Sequence, residues 1–313
     1  MKKIAKLSLL ALLCLSGFGV LRSHAQTAPT QRFTAAINGA QIAYTITGDA
    51  PETILLIHGY PLNGDLFAKQ RRGLSARYRV ITLDLRGFGG SVAPDDQGTI
   101  DLYARDVLGL LDQLGIQQAI IGGHSMGGAI TLRLYELAPE RFRAMFLNDA
   151  AAFPPPTVEQ NMWIGYQQQA REPGGAASLL PLLLPEFLTG DARATRTSLV
   201  RKVSQQVLAA SVNGLVGGAH ALQTRPDFST TFPNINVPTL ILYGQEDSLT
   251  PMEQGQMLHT AIAGSELVIV PGASHGVIRQ QPGVATAAIL DWADRNLDGA
   301  SATPQATPAT SAD

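Results

Sequence analysis

The amino-acid sequence predicts an α/β fold: a mostly parallel central sheet, opened by an antiparallel hairpin, with helices on both faces and a helical insertion between two late strands. Three observations carry this prediction. The runs "TILLIH", "RVITLDL", "QAIIGG", "RAMFLND", "TLILYG" and "ELVIV" are short, apolar and without polar alternation, as strands buried on both faces are. Amphipathic segments over 64–76, 99–115, 126–138, 251–262 and 282–297 fall between them, the rhythm of parallel strands joined by right-handed crossovers. From 151 to 236 the rhythm stops: "NMWIGYQQQA", "ASLLPLLLPEFL" and "RTSLVRKVSQQVLAASVNGLVGGAHAL" read as helices without strands.

In chain order, residues 1–25 begin with Lys2, Lys3 and Lys6, continue through the apolar block "LSLLALLCLSGFGVL", and end in "RSHA" with Ser23 and Ala25 at the −3 and −1 positions. This is the layout of a secretory signal peptide cleaved after Ala25; its block of about 15 residues is short of the roughly 20 that a membrane span needs. A retained N-terminal anchor is the alternative. Leu13 stands before Cys14 where a lipid-attachment signal would want a small residue. The expectation is an exported protein, periplasmic or secreted. Cleavage would remove the single cysteine, and with it disulfide and thiolate-metal chemistry. It would also leave 19 basic against 25 acidic side chains, formal charge −6, with no basic run for nucleic acid or an anionic membrane surface. The expected partner is a small molecule.

Next, "FTAAING" and "AQIAYTITG" read as a hairpin turning at Asn38-Gly39. Thr99 or Asp101 is placed to cap the helix over 99–115 and Gly115 to end it. The helical insertion opens at Pro154–Pro156 and closes among Pro226, Pro233 and Pro238. Leaving and rejoining the sheet at strand C-terminal ends, it would lie over the crevice where open α/β sheets bind ligands, as a lid. The domain reading is therefore a core over 26–150 and 237–298, a lid over 151–236, and a low-complexity tail over 299–313, "GASATPQATPATSAD", that buries too little to be ordered.

Chemistry concentrates in "IIGGHSMGGAI" (120–130), where Gly123-His124-Ser125-Met126-Gly127 fits G-x-S-x-G between a strand and a helix. A sharp strand-to-helix turn crowds the positions two residues either side of the serine, and glycine alone fits there cheaply. The helix N-terminus behind Ser125 favours the negative charge of acyl transfer. A serine nucleophile needs a base and the base an orienting acid. His275, in "PGASHGV" after the last strand, is the candidate base; His259 reads as solvated surface and His220 as lid. Candidate acids at strand ends are Asp247, Asp149 and Glu246. The order 125, 247, 275 is that of a serine triad at successive strand ends. A plain glycine-rich turn is the competing reading of the pentapeptide.

With these motifs in hand, "LLIHGYPLNGDLF", "VITLDLRGFGGS", "GGHSMGGAI", "LYGQEDSLTP" and "PGASHGV" resemble, in order and position, those of the α/β-hydrolase fold family, over about residues 33–297. The "HG-x-P" and "D-x-R-G-x-G-x-S" forms are most similar to its esterase, perhydrolase and epoxide-hydrolase-like branch. The resemblance implies Ser125 as nucleophile, His275 as base and Asp247 as acid through the G-x-x-D-x-x-x-P pattern of Gly244 to Pro251, with Asp149 the alternative and Glu246 third. It implies an oxyanion hole from the backbone N–H groups of Tyr60 and Met126. It also implies acyl transfer to water, since dehalogenases and epoxide hydrolases of this fold carry aspartate where this chain has Ser125. His58 is read as support for the Tyr60 loop, Asp84 and Arg86 as loop-fixing polar groups, and His124 as a hydrogen-bonding brace beneath the turn. No dinucleotide motif, P-loop or metal-ligand pattern occurs, so no cofactor and no metal is expected.

The lid carries Trp163, Tyr166, Phe187 and Phe228 and few charges near "SLLPLLLPEFL". That favours a small or medium, uncharged, partly apolar ester or lactone, with Trp163, Phe187 and Val277 as candidate pocket residues. Peracid formation and C–C bond hydrolysis use the same triad, and a ligand-binding receptor retaining it is the alternative of another class.

Overall fold

The computed structural model describes residues 29–297. The leader over 1–25, the tail over 299–313 and the two ends of the core reading, 26–28 and 298, lie outside the described residues.

Eight strands form one sheet: β1 (Thr30–Ile37), β2 (Ala40–Thr47), β3 (Thr53–Ile57), β4 (Arg79–Leu83), β5 (Ala119–His124), β6 (Phe142–Asn148), β7 (Thr239–Gly244) and β8 (Glu266–Val270). Their spatial order is β1-β2-β4-β3-β5-β6-β7-β8. β1 runs antiparallel to β2 and β2 to β4; every other pair is parallel. The hairpin turns at Asn38 (φ 47°) and Gly39 (φ 77°), the positive-φ pair that matches strand twist. β3, β5 and β7 are buried along their whole length, which is why their sequences show no alternation. Truncating one such Leu or Ile to Ala costs about 2–5 kcal/mol. The chain goes from β3 outward to β4, then crosses back to β5 on the other side. The strand order reverses at β3/β5, so a crevice opens there at the C-terminal strand ends.

The core helices are α1 (Ala68–Leu74), α2 (Ile100–Gln113), α3 (Met126–Leu137), α9 (Met252–Ala261), α10 (Val277–Gln280) and α11 (Pro282–Asn296). Thr99, not Asp101, caps α2: its Oγ accepts the Leu102 N–H at 3.1 Å, and Gly115 follows the helix at φ 65°. The segment expected as one helix over 64–76 instead starts with a 3-10 turn, Gly64–Phe67, because the Asn63 side chain caps Asp65 N–H and Asp84 Oδ1 takes Gly64 N–H. Asp84 Oδ2 accepts Gly90 N–H at 2.8 Å, so one carboxylate ties two loops. Arg86 pairs elsewhere, through two bonds to buried Asp106; the two residues serve separate networks.

Between β6 and β7 stand five helices: α4 (Thr157–Arg171), α5 (Gly175–Phe187), α6 (Gly190–Thr195), α7 (Thr197–Leu208) and α8 (Val212–Gln223). The run expected as one long helix breaks into α7 and α8 at Ser211, whose Oγ caps Gly214 N–H and donates to the Gly87 carbonyl. There the segment meets the core backbone to backbone: a Cβ on Gly214 would lie 2.2 Å from the Gly87 oxygen. α5 is also tied through backbone, His275 N–H to the Glu186 carbonyl, whereas α7 is held through side chains, Gln206 to Asn63, and Arg196 just before it to the Gln280 carbonyl. Arg225 braces the segment internally with paired bonds to Glu159.

Candidate active site

β5 ends at His124 and α3 begins at Met126, leaving Ser125 alone to turn the chain, at φ 56° and ψ −118°. A non-glycine residue there stores about 1–3 kcal/mol of strain and persists only where its surroundings over-determine it. They do: Ser125 N–H donates to the Asn148 carbonyl at 3.0 Å, and its own carbonyl accepts from Gly128 and Ala151 N–H. The flanking glycines are steric necessities. A Cβ on Gly123 would sit 2.0 Å from the Gly127 oxygen, and one on Gly127 2.2 Å from the Ile57 oxygen. Ser125 Oγ does not cap the helix behind it, and among the described residues it makes no hydrogen bond.

His275 and Asp247 meet beside it. His275 Nδ1 lies 2.8 Å from Asp247 Oδ2. Asp247 is fixed by three more donors: Leu249 N–H and Thr250 N–H to Oδ1, each at 2.9 Å, and the Thr250 hydroxyl to Oδ2 at 2.8 Å. An acceptor carboxylate at Nδ1 places the imidazole proton on that nitrogen and leaves the Nε2 lone pair free. His275 Nε2 is buried and has no partner; no hydrogen bond joins it to Ser125 Oγ. The ring is clamped between His124, centroids 4.8 Å apart, and Phe187 at 6.0 Å. The His275 backbone N–H donates to the Glu186 carbonyl at 3.2 Å. Burial alone would lower the His275 pKa, but the Asp247 charge and hydrogen bond, with Asp149 and Glu186 beyond, outweigh it and hold it above the ordinary value.

Asp149, the rival acid, makes no hydrogen bond to His275. Its Oδ1 accepts Gly244 N–H at 2.9 Å and its Oδ2 the Asn148 side-chain amide at 2.9 Å. Burial, then the neighbouring Asp247 charge, push its carboxyl well above the usual carboxylate range. Glu246 stays outside the cluster, its backbone N–H bonded to the Ala273 carbonyl. Asp149, Asp247 and His275 offer ligand atoms within 4.8 Å of one another, yet those of Asp149 and Asp247 are engaged by protein donors, the pattern of a hydrogen-bond network.

The Tyr60 and Met126 amides have no protein acceptor among the described residues, the condition for donors waiting on an anion. His58 holds the Tyr60 loop as expected: Leu85 N–H donates to its Nε2 at 2.9 Å, so the proton sits on Nδ1, which donates to the Gly59 carbonyl. His124 departs from expectation. Neither ring nitrogen has a hydrogen-bond partner; burial, then the nearby His275 charge, hold its pKa well below the ordinary value, and the neutral ring acts by packing. Of the pocket candidates, Trp163 stands edge-on to Tyr60 at 5.5 Å, Phe187 lies on His275, and Val277 is buried at the start of α10. Thr250 was not singled out from the sequence. Only its position three residues after Asp247, where a hydroxyl can turn back on the carboxylate, could have signalled it.

A family model described as alpha/beta hydrolase fold matches residues 52–280. A putative non-heme chloroperoxidase from Synechocystis sp. is 34% identical over 245 residues, covering 73% of this chain and 86% of that protein. A thermophilic esterase from Thermogutta terrifontis, solved with malate bound, superposes with TM-score 0.80 at 28% identity, covering 85% of this chain and 98% of that one. The enol-lactonase from Burkholderia xenovorans gives TM-score 0.79 at 28% identity over 84% of this chain and all of that one.

Proposed function

Because the chain belongs to the α/β-hydrolase fold family, we propose that it is a serine hydrolase cleaving a small or medium carboxylic ester or lactone through an acyl-enzyme on Ser125. The carrying observation is an unbonded serine hydroxyl on a strained elbow beside a buried His275–Asp247 pair whose Nε2 is free. Ser125 Oγ attacks the substrate carbonyl while His275 Nε2 takes its proton. The Tyr60 and Met126 N–H groups receive the developing oxyanion, where losing one donor typically costs about 2.7–4 kcal/mol. Asp247 holds the Nδ1–H tautomer and stabilises the imidazolium. His275 returns the proton to the departing alcohol, then activates water, and deacylation regenerates Ser125. The Ser125–His275 hydrogen bond is formed with substrate in place, as catalytic hydrogen bonds often are.

The helices over 151–236 act as a lid in this reading: Trp163 against Tyr60 and Phe187 against His275 wall an apolar acyl pocket. The named esterase and enol-lactonase support ester and lactone substrates over amides. The likeness to a named chloroperoxidase keeps one second reading in view, peracid formation, in which hydrogen peroxide replaces water at deacylation. The leader reading places the enzyme outside the cytoplasm. The deciding experiment is p-nitrophenyl ester hydrolysis by purified protein. Ser125→Ala is expected to lower kcat about 10⁴-fold or more, and an organophosphonate is expected to label Ser125 in the parent; an unchanged rate would overturn the assignment.

A further inference from the structure

A cavity of about 630 Å³ lies between α7 and the core, and none of Ser125, Asp247 and His275 lines it. Its walls continue the loops that carry the reacting groups. Asn63 lies three residues beyond Tyr60, and Arg279 four beyond His275. Lys69, Arg196, Lys202 and Arg279 all line it, against a single acid, Asp65. That acid is already engaged by Arg71 at 2.6 Å and Arg32 at 3.3 Å, so the cavity carries uncompensated positive charge. Arg279 is the residue of interest: half-buried, with no hydrogen bond or ion pair to its guanidinium among the described residues. Its pKa is lowered to about 10 by burial, opposed by the Asp65 charge. Even a half-buried cation without a partner has lost part of its hydration, and an anion would offset that loss. Leu66 and Leu199 add apolar wall, suited to an aliphatic stem.

We propose that this cavity is an anion subsite, in which the Arg279 guanidinium, reinforced by Lys69, Arg196 and Lys202, binds a carboxylate carried by the substrate at the end away from the scissile ester. The proposal rests on the hydrolase reading above and changes its substrate class: the cap's composition favoured an uncharged ester, whereas the cavity favours the half-ester or lactone of a dicarboxylic acid. The planar guanidinium takes both carboxylate oxygens, and the stem lies on Leu66 and Leu199.

The test compares monoethyl adipate with diethyl adipate on the parent, Arg279→Gln and Arg279→Lys, using the ratio of the two kcat/KM values so that any general effect on the triad cancels. The parent is expected to favour the half-ester, and Arg279→Gln to lower that preference about tenfold or more, the scale of one charge-assisted hydrogen bond. The loss should fall in KM, with Arg279→Lys recovering part of it. A ratio unchanged in Arg279→Gln, or a parent preferring the diester, would overturn the subsite. Calorimetric titration of adipate into Ser125→Ala, with and without Arg279→Gln, gives a readout free of turnover. Arg279-dependent binding without hydrolysis of either ester would sustain the subsite and sink the hydrolase reading. Hydrolysis without preference, and without adipate binding, would do the reverse.

Discussion

Where the chain leaves β5 and where it leaves the adjacent β6, a residue other than glycine adopts a left-handed backbone: Ser125 at φ 56° and Asp149 at φ 43°. The two turns are locked together, since Ser125 N–H donates to the Asn148 carbonyl and Ala151 N–H to the Ser125 carbonyl. Their side chains end differently. Both Asp149 oxygens are occupied, by Gly244 N–H and the Asn148 amide, while Ser125 Oγ is unbonded. Strain by itself therefore marks a constrained turn; an unsatisfied nucleophile on that turn marks chemistry. The same contrast separates the two buried carboxylates. Asp247 bonds to His275, and Asp149 fastens β6 to β7.

The contrast breaks most sharply at those carboxylates. Asp247→Asn is expected to lower kcat by up to about 10⁴-fold, as loss of the tautomer-fixing acid does in serine proteases. Asp149→Asn should cost less than about tenfold in kcat, its effect appearing instead as a lowered unfolding midpoint in a denaturant titration. Equal kinetic losses would erase the distinction. Thr250→Val tests the next layer, because its hydroxyl touches Asp247 Oδ2, His275 Nδ1 at 3.0 Å and the Asp149 carbonyl at 3.1 Å. About a tenfold fall in kcat is expected, the scale of one hydrogen bond to a charged group, and Thr250→Ser should restore most of it. The smallest effect is in pH. Protonated His275 cannot accept the serine proton, and its pKa is raised, so the acid limb of kcat/KM should have its midpoint above the ordinary histidine value of about 6.5. In the residual activity of Asp247→Asn, where the main raising charge is gone, the limb should move to lower pH.

The sheet was legible because strands buried on both faces must be continuous apolar runs, and "TLILYG" and "QAIIGG" are little else. The elbow was legible because two glycines are forced by backbone contacts near 2 Å, a constraint no other residue meets. What sequence hid was settled by tertiary contact. The 3-10 turn at 64–67 depends on Asp84, twenty residues along, and the break between α7 and α8 on the Gly87 carbonyl. His124 looked like a hydrogen-bonding brace because histidine usually is one; that its nitrogens go unpaired follows from ring packing against His275. Thr250 stands at a variable position of the G-x-x-D-x-x-x-P pattern, and Arg279 bears no motif. The first matters through what it touches, the second through what is missing around it.

The Gly87–Gly214 contact has a mechanical consequence. Where two backbones meet with no side chain between them, there is no rotamer to turn aside, so α8 is pinned at a fixed distance from the core. α7 and the residue before it are held across the cavity by side-chain bonds such as Gln206–Asn63 and Arg196–Gln280, which exchange for water at little net cost. Of the two helices, α7 is therefore the cheaper to part from the core and α8 the one whose register cannot slip.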